Sequence, residues 1–166
     1  YDDPFLPFAK AVIRATRESI CLYLFDLAAF MTLGAAGMIA LERAIAYAAS
    51  DTLTVMHGPF VGTAYAEIFN ENGCNMDAVT LAYDHDLSAY LTNASKTAFV
   101  VRQTYTPPAV QVFRRGGVFW TDAHILEHET PAGMVRVRMV GEDALYISKD
   151  DDFAEQIQRH LDSLHS

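Results

Sequence analysis

The chain has 166 residues, of which 51% are apolar and 11% aromatic, and its formal net charge is −9 at pH 7. This length suits a single domain spanning residues 1–166, and the apolar content supports a sizeable core and argues against disorder. The excess of acidic residues argues against direct nucleic-acid binding, because contacts to a phosphate backbone depend on Lys and Arg.

The first hundred residues show alternating helix and strand patterns. Asp3-Pro4 is a typical helix start, and apolar residues then recur at helical spacing. The predicted elements are a helix at 4–19, a strand at 20–25, one or two helices within 27–48 broken at Gly34, a strand at 53–56, a helix at 63–70, a strand at 77–82, a short helix at 87–94 and a strand at 97–101. Such alternation with short connections is typical of a parallel α/β sheet.

The pattern changes after Pro107-Pro108. We predict that residues 107–143 form an irregular, divergent segment, weakly helical at 109–113 and with strands at 118–120 and 135–140. Residues 144–147 are then predicted to form a last strand, followed by a final helix at 151–164 whose apolar residues share one face.

The compartment and the relation to membranes follow from two further features. Cys21 and Cys74 match neither a disulfide framework nor a zinc spacing, which predicts a reducing, intracellular compartment, either cytoplasm or an organelle matrix such as that of a mitochondrion. The longest apolar stretch is interrupted by Asp26 and by Gly34 and Gly37, so no membrane span is predicted.

The stretches "DPFLPFAKAVIRAT", "ICLYLFDLAAFMTLGAAGMIALERAIAYA", "LTVMHGPFVGTAYAEIF", "MDAVTLAYDHDLSAYL", "TAFVVRQTYTPPAVQ" and "ALYISKDDDFAEQIQRHL" occur in this order. Read together, they resemble the orotidine 5'-phosphate decarboxylase family, whose fold is a TIM barrel. The resemblance implies an α/β fold. Because a TIM barrel takes about 250 residues, and about 200 at the low end, we expect a reduced or incomplete barrel with mostly parallel strands and no first strand before Tyr1.

The catalytic positions of that family do not match. Its second strand ends in Lys-Pro-Asn, where this chain has Leu24, Phe25 and Asp26, and its Asp-x-Lys-x-x-Asp array is replaced by "MHGPFVG". Its phosphate-binding Gly-Arg is replaced by Gly141 followed by Glu142, which would repel phosphate. Decarboxylation needs a lysine to protonate the carbanion and carboxylates beside it, and nucleotide binding needs cationic phosphate contacts.

These losses predict a pseudoenzyme with no catalytic residues and no cofactor. An incompletely closed barrel exposes strand edges and apolar flanks, which need a covering partner. We therefore expect a structural or interaction subunit of a larger protein assembly, with other protein subunits as partners.

Two alternatives are a small-ligand or nucleotide-binding module that keeps the barrel pocket and a metal-dependent enzyme at the same mouth; a residual decarboxylase of pyrimidine biosynthesis is a more distant third. If the strand ends share one mouth, the candidate ligand-binding residues there are Asp26, His57, Asp84, His85, Asp86 and Arg102. These polar residues are equally typical of solvated loops.

"HILEH" offers a candidate metal site, because His124, Glu127 and His128 match the H-x-x-E-H pattern of zinc proteases. Two histidines four residues apart on a helix can bind zinc. A third ligand would come from Glu142 or Glu155, the glutamates after Pro131. The alternative interpretation of this segment is an exposed helix or loop.

Overall fold

The computed structural model describes residues 4–58, 63–68, 73–81, 97–102, 109–112, 118–121, 125–130, 133–138 and 140–164. In chain order the elements are α1 (Phe5–Thr16), β1 (Leu22–Asp26), α2 (Leu27–Met31), α3 (Gly34–Ala48), β2 (Leu53–His57), α4 (Thr63–Ile68), β3 (Ala78–Leu81), β4 (Thr97–Arg102), β5 (Ala109–Val112), β6 (Val118–Thr121), β7 (Ile125–Thr130), β8 (Gly133–Arg138), α5 (Glu142–Leu145) and α6 (Phe153–Leu164). The chain divides into two compact units, Tyr1–Thr54 with Val140–Ser166, and Val55–Met139. The single-domain assignment stays a prediction.

The core of the first unit is built on one face of α3. Buried residues recur on this helix at three- and four-residue spacing, so they lie on one side of it: Ala40, Leu41, Ala44, Ile45 and Ala48. Each is at most 2% exposed. Helix α1 packs on α3 and buries Val12 and Ile13. Strand β1 joins β2 through the Leu53 amide, which donates to the Cys21 carbonyl oxygen at 3.3 Å.

The turn between α2 and α3 depends on two glycines. Gly34 has a φ of +59°, in the left-handed region that side chains with a Cβ rarely adopt. Gly37 lies so close to the Phe30 carbonyl oxygen that a methyl group there would overlap it. The break predicted at Gly34 is confirmed, since the two helices are separate.

The C-terminal helix α6 completes the first unit by packing on α1. Ile157 and Leu161 form a buried cluster with Val12 of α1. At one edge of this cluster Phe8 and Phe153 stack with their ring centroids 5.2 Å apart. The amphipathic helix predicted at 151–164 is thus confirmed at Phe153–Leu164, because its apolar face has α1 as a partner.

The second unit is a sheet whose strands pair in chain order from β2 to β8. The pairs β2–β3 and β3–β4 are parallel, with Val55 opposite Ala78 and Val79 opposite Ala98. From β4 onward the pairs are antiparallel, as between Val100 and Gln111. The expectation of mostly parallel strands therefore holds for β2 to β4 and fails for the pairs from β4 to β8.

Several local predictions after residue 106 are wrong. Residues 109–112 form strand β5 rather than a weak helix, because pairing to β4 and β6 outweighs a weak local preference. Between residues 109 and 138, the described parts of the segment predicted to be irregular are the antiparallel strands β5 to β8. Residues 142–145 form the short helix α5 where a last strand was predicted at 144–147. The helix predicted at 87–94 lies outside the described residues.

Candidate strand-end site

The end of β1 supplies the first candidate residue, Asp26. Leu24 is half-buried, Phe25 is 7% exposed, and Asp26 is exposed. Asp26 is the N-cap of α2, and its Oδ1 accepts a hydrogen bond from the Ala28 amide at 2.9 Å. Capping satisfies a helix amide that would otherwise lack a partner. The carboxylate therefore has a local structural role, which an Asp directly before an apolar helix could have indicated.

The end of β2 is an apolar strand that finishes in a histidine and a glycine. Thr54 and Met56 are fully buried, His57 is half-buried, and Gly58 is buried. Residues 53–58 include no Lys, Arg, Asp or Glu. His57 is thus the one titratable side chain of this stretch, and the strand end carries neither a permanent cation nor a carboxylate.

Within the second unit, the parallel pairing brings the ends of β2 and β4 to one edge. His57 ends β2 and Arg102 ends β4, with β3 between them. Arg102 lies opposite Ala109 in the antiparallel pair that follows. Asp84, His85 and Asp86 lie outside the described residues. Two of the predicted mouth residues therefore share a sheet edge.

The helical interpretation of "HILEH" is wrong for the residues that the structure describes. Glu127 and His128 lie in strand β7, opposite Phe119 and Val118 of β6, while His124 is outside the described residues. A helix brings residues four apart together, whereas a strand separates them by about 13 Å. Over the described ranges no group of three or more potential metal ligands occurs.

A hydrogen-bonded pair joins β1 to α1 behind the strand end. The Tyr23 hydroxyl lies 2.9 Å from Thr16 Oγ1 and donates to the Ile13 carbonyl oxygen at 3.1 Å. Burial raises the pKa of Tyr23, and the hydrogen bond with Thr16 opposes that shift. The tyrosine stays protonated at neutral pH and serves as a structural tie, a role that no sequence pattern indicated.

Comparisons with known proteins identify the class of fold and the family that the chain resembles. The chain is similar to part of the solved structure of Leishmania donovani OMP decarboxylase, with 24% identity and a TM-score of 0.54; the match covers 61% of this chain and 43% of that one. It is also similar to part of the Leishmania donovani UMP synthase structure, with 24% identity and a TM-score of 0.52; that match covers 57% of this chain and 23% of the other. These likenesses, together with the parallel pairing of β2 to β4 and the presence of helices, confirm the predicted class, α/β with an incomplete TIM-type barrel.

At the level of sequence, the chain is 36% identical over 110 residues to the orotidine 5'-phosphate decarboxylase of Herpetosiphon aurantiacus. The match covers 60% of this chain and 40% of the relative, so the chain spans well under half of that relative's length. No protein-family model matches the chain. The resemblance to orotidine 5'-phosphate decarboxylases is therefore confirmed over part of the chain.

Removing the cap at Asp26 tests its structural role. We expect Asp26→Ala to lower the free energy of unfolding by about 1 kcal/mol, because the Ala28 amide loses its acceptor. Asp26→Asn should cost only a few tenths of a kcal/mol, since asparagine caps helices as well as aspartate does. Urea unfolding of the three proteins measures both values. Equal destabilisation by Ala and Asn would show that the charge, rather than the cap, matters.

Proposed function

We propose that this chain is a non-catalytic relative of orotidine 5'-phosphate decarboxylases that acts as a structural or interaction subunit of a protein assembly. The observation that carries the proposal is the chemistry of its strand ends. Where the family it resembles has lysine and paired carboxylates, this chain has Leu24 and Phe25 at the end of β1 and Met56, His57 and Gly58 at the end of β2.

Physical chemistry explains why these replacements oppose decarboxylation. A carbanion forms only where a cation or proton donor stabilises the developing charge, and one misplaced donor already costs orders of magnitude in rate. Leu24 is half-buried and uncharged, and the Asp26 carboxylate accepts a hydrogen bond from the Ala28 amide at 2.9 Å. A half-buried His57 is the remaining acid–base group of these two strand ends.

An exposed apolar surface supports the interaction role. Residues 27–41 include no charged side chain. Three large apolar residues of this stretch are exposed: Met31 by 48%, Leu33 by 37% and Ile39 by 50%. All three lie within residues 31–39, and exposed apolar patches on folded proteins commonly mark a protein interface. None of the helices in the described part of the chain has the length and apolar character needed to cross a bilayer.

A turnover assay tests the non-catalytic part of the proposal. We expect the purified chain to release no UMP from orotidylate above the uncatalysed rate, because no lysine stands at either strand end. The Herpetosiphon aurantiacus relative serves as the positive control. Enzymatic turnover that survives repurification and scales with protein concentration would contradict the proposal.

Two further measurements separate the subunit role from the ligand-binding alternative. Calorimetric titration with UMP should give no binding heat at millimolar ligand, and saturable heat would favour a nucleotide-binding module that uses the edge with His57 and Arg102. Light scattering after size-exclusion chromatography of the isolated chain should show self-association, or a low recovery of protein because it has aggregated. A stable, monodisperse monomer would count against an obligate subunit.

A further inference from the structure

Helix α1 carries a row of basic residues that the strand-end site does not involve. Lys10, Arg14 and Arg17 are spaced four and three residues apart, so the spacing places them along one face of the helix and its C-cap. They span about 10 Å along the helix axis. Basic residues are favourable near a helix C-terminus, which accounts for Arg14 and Arg17, but Lys10 lies in the middle of the helix.

Tyr47 of α3 holds two of these cations at a defined position. Lys10 Nζ lies 5.4 Å from the centroid of the Tyr47 ring, and the Arg17 guanidinium carbon lies 5.0 Å from it. The negative face of an aromatic ring attracts cations at this range. The ring therefore keeps two like charges near one another on the outside of the first unit.

Nearby carboxylates neutralise only part of this charge. Arg17 Nη1 pairs with Asp51 Oδ2 at 3.0 Å, and the Asp51 side chain is 57% exposed. Within the described ranges, Lys10 and Arg14 make no ion pair, although Glu18 is exposed close by in sequence. The buried Nε of Arg17 has no hydrogen-bond acceptor among the same residues. The cluster thus offers more positive charge and more donors than its described surroundings satisfy.

We propose that this basic face, formed by Lys10, Arg14, Arg17 and Tyr47, binds an acidic peptide segment of a partner protein. The spacing fits such a segment: the rise from Lys10 to Arg14 is about 6 Å, and acidic residues two apart in an extended peptide are about 7 Å apart. The half-buried Tyr47 ring and the aliphatic part of the half-buried Lys10 also offer apolar contact to a peptide.

Phosphate and nucleic acid fit this face less well. A phosphate site typically combines backbone amides with a free Arg fork, whereas one nitrogen of the Arg17 fork already pairs with Asp51. A nucleic acid is longer than the basic face, so many of its phosphates would lie beside the rest of the protein, whose net charge of −9 repels them. A short acidic segment interacts only with the basic face, because salt screens its repulsion from carboxylates more than about 10 Å away.

The basic face lies on the outside of α1 and α3, and its binding does not depend on whether the strand ends support decarboxylation. The test uses a fluorescein-labelled peptide with alternating glutamates and a matched peptide with glutamine at those positions. Fluorescence anisotropy at about 50 mM and 300 mM salt should show saturable binding of the glutamate peptide that weakens as salt rises. The glutamine peptide should not bind.

Matched charge-removal variants locate the site. Lys10→Gln and Arg14→Gln should each weaken binding about two- to fivefold, and the double variant about tenfold, as expected for one exposed charge pair at each position. Arg159→Gln on α6 removes the same charge from a 62% exposed arginine and should leave the affinity unchanged. Thermal unfolding checks that all variants remain folded.

Three results would overturn the proposal. They are no binding of the glutamate peptide at millimolar concentration, an equal loss in Arg159→Gln and Arg14→Gln, and tighter binding of a single-stranded oligonucleotide than of the peptide. None of these depends on the turnover assay with orotidylate, so the two proposals fail separately.

Discussion

Gly37→Ala will destabilise the protein by about 3 kcal/mol or more, because the added methyl group meets backbone that has little room to move. The nearest atoms are the Phe30 carbonyl oxygen and carbon, so relief requires α2 to shift away from α3. Gly37 is buried, and α2 packs closely on α3. Urea unfolding followed by far-UV circular dichroism measures the change.

Gly34→Ala is the matched control on the same turn. A Cβ at Gly34 meets nothing within 4 Å, but the φ of +59° is strained for alanine. We expect Gly34→Ala to lower the free energy of unfolding by about 1 kcal/mol, which is the cost of the left-handed backbone conformation alone. If Gly37→Ala lowers the free energy of unfolding no more than Gly34→Ala does, then α2 does not lie as close to Gly37 as the structure places it.

Leu161→Ala is expected to lower the free energy of unfolding by about 2 to 5 kcal/mol. Leu161 is 5% exposed and packs in the cluster with Val12 and Ile157 that joins α6 to α1. The truncation removes buried apolar surface and leaves a cavity, since α1 and α6 are both packed on other residues. Chemical unfolding, followed by a signal other than tryptophan fluorescence, measures the decrease in the free energy of unfolding.

Leu164→Ala is the control for that prediction, because Leu164 lies at the end of the same helix and is only half-buried. It should cost about 1 kcal/mol or less. Equal costs at the two positions would show that α6 does not dock on α1 through Leu161. Because α6 begins 137 positions after the end of α1 (153 − 16), this contact also tests whether residues 140–164 belong to the first unit.

The candidate site was only partly predictable. The loss of the family's charged residues at Leu24, Phe25 and the "MHGPFVG" turn is visible in the sequence, because it depends on residue types alone. Asp26 stays a predicted ligand-binding candidate; its N-cap role was also readable from its position before an apolar helix. The cluster around Tyr47 gave no signal, since Lys10 and Tyr47 are 37 positions apart and meet only when α1 packs on α3.

The sequence by itself determined the helices α1, α3 and α6 and the strands β1 to β4, because their apolar residues repeat with the period of one structure over enough residues. Only the tertiary structure decided residues 109–112 and 144–147, where short, mostly apolar runs suit a helix and a strand equally. Pairing across the sheet from β4 to β8 made the first a strand. At the second, a short helix forms in which Ala144 is buried and Leu145 packs against the cluster of α1 and α6. These partners are contacts that a local pattern does not contain, and they supply the free energy by which one conformation prevails.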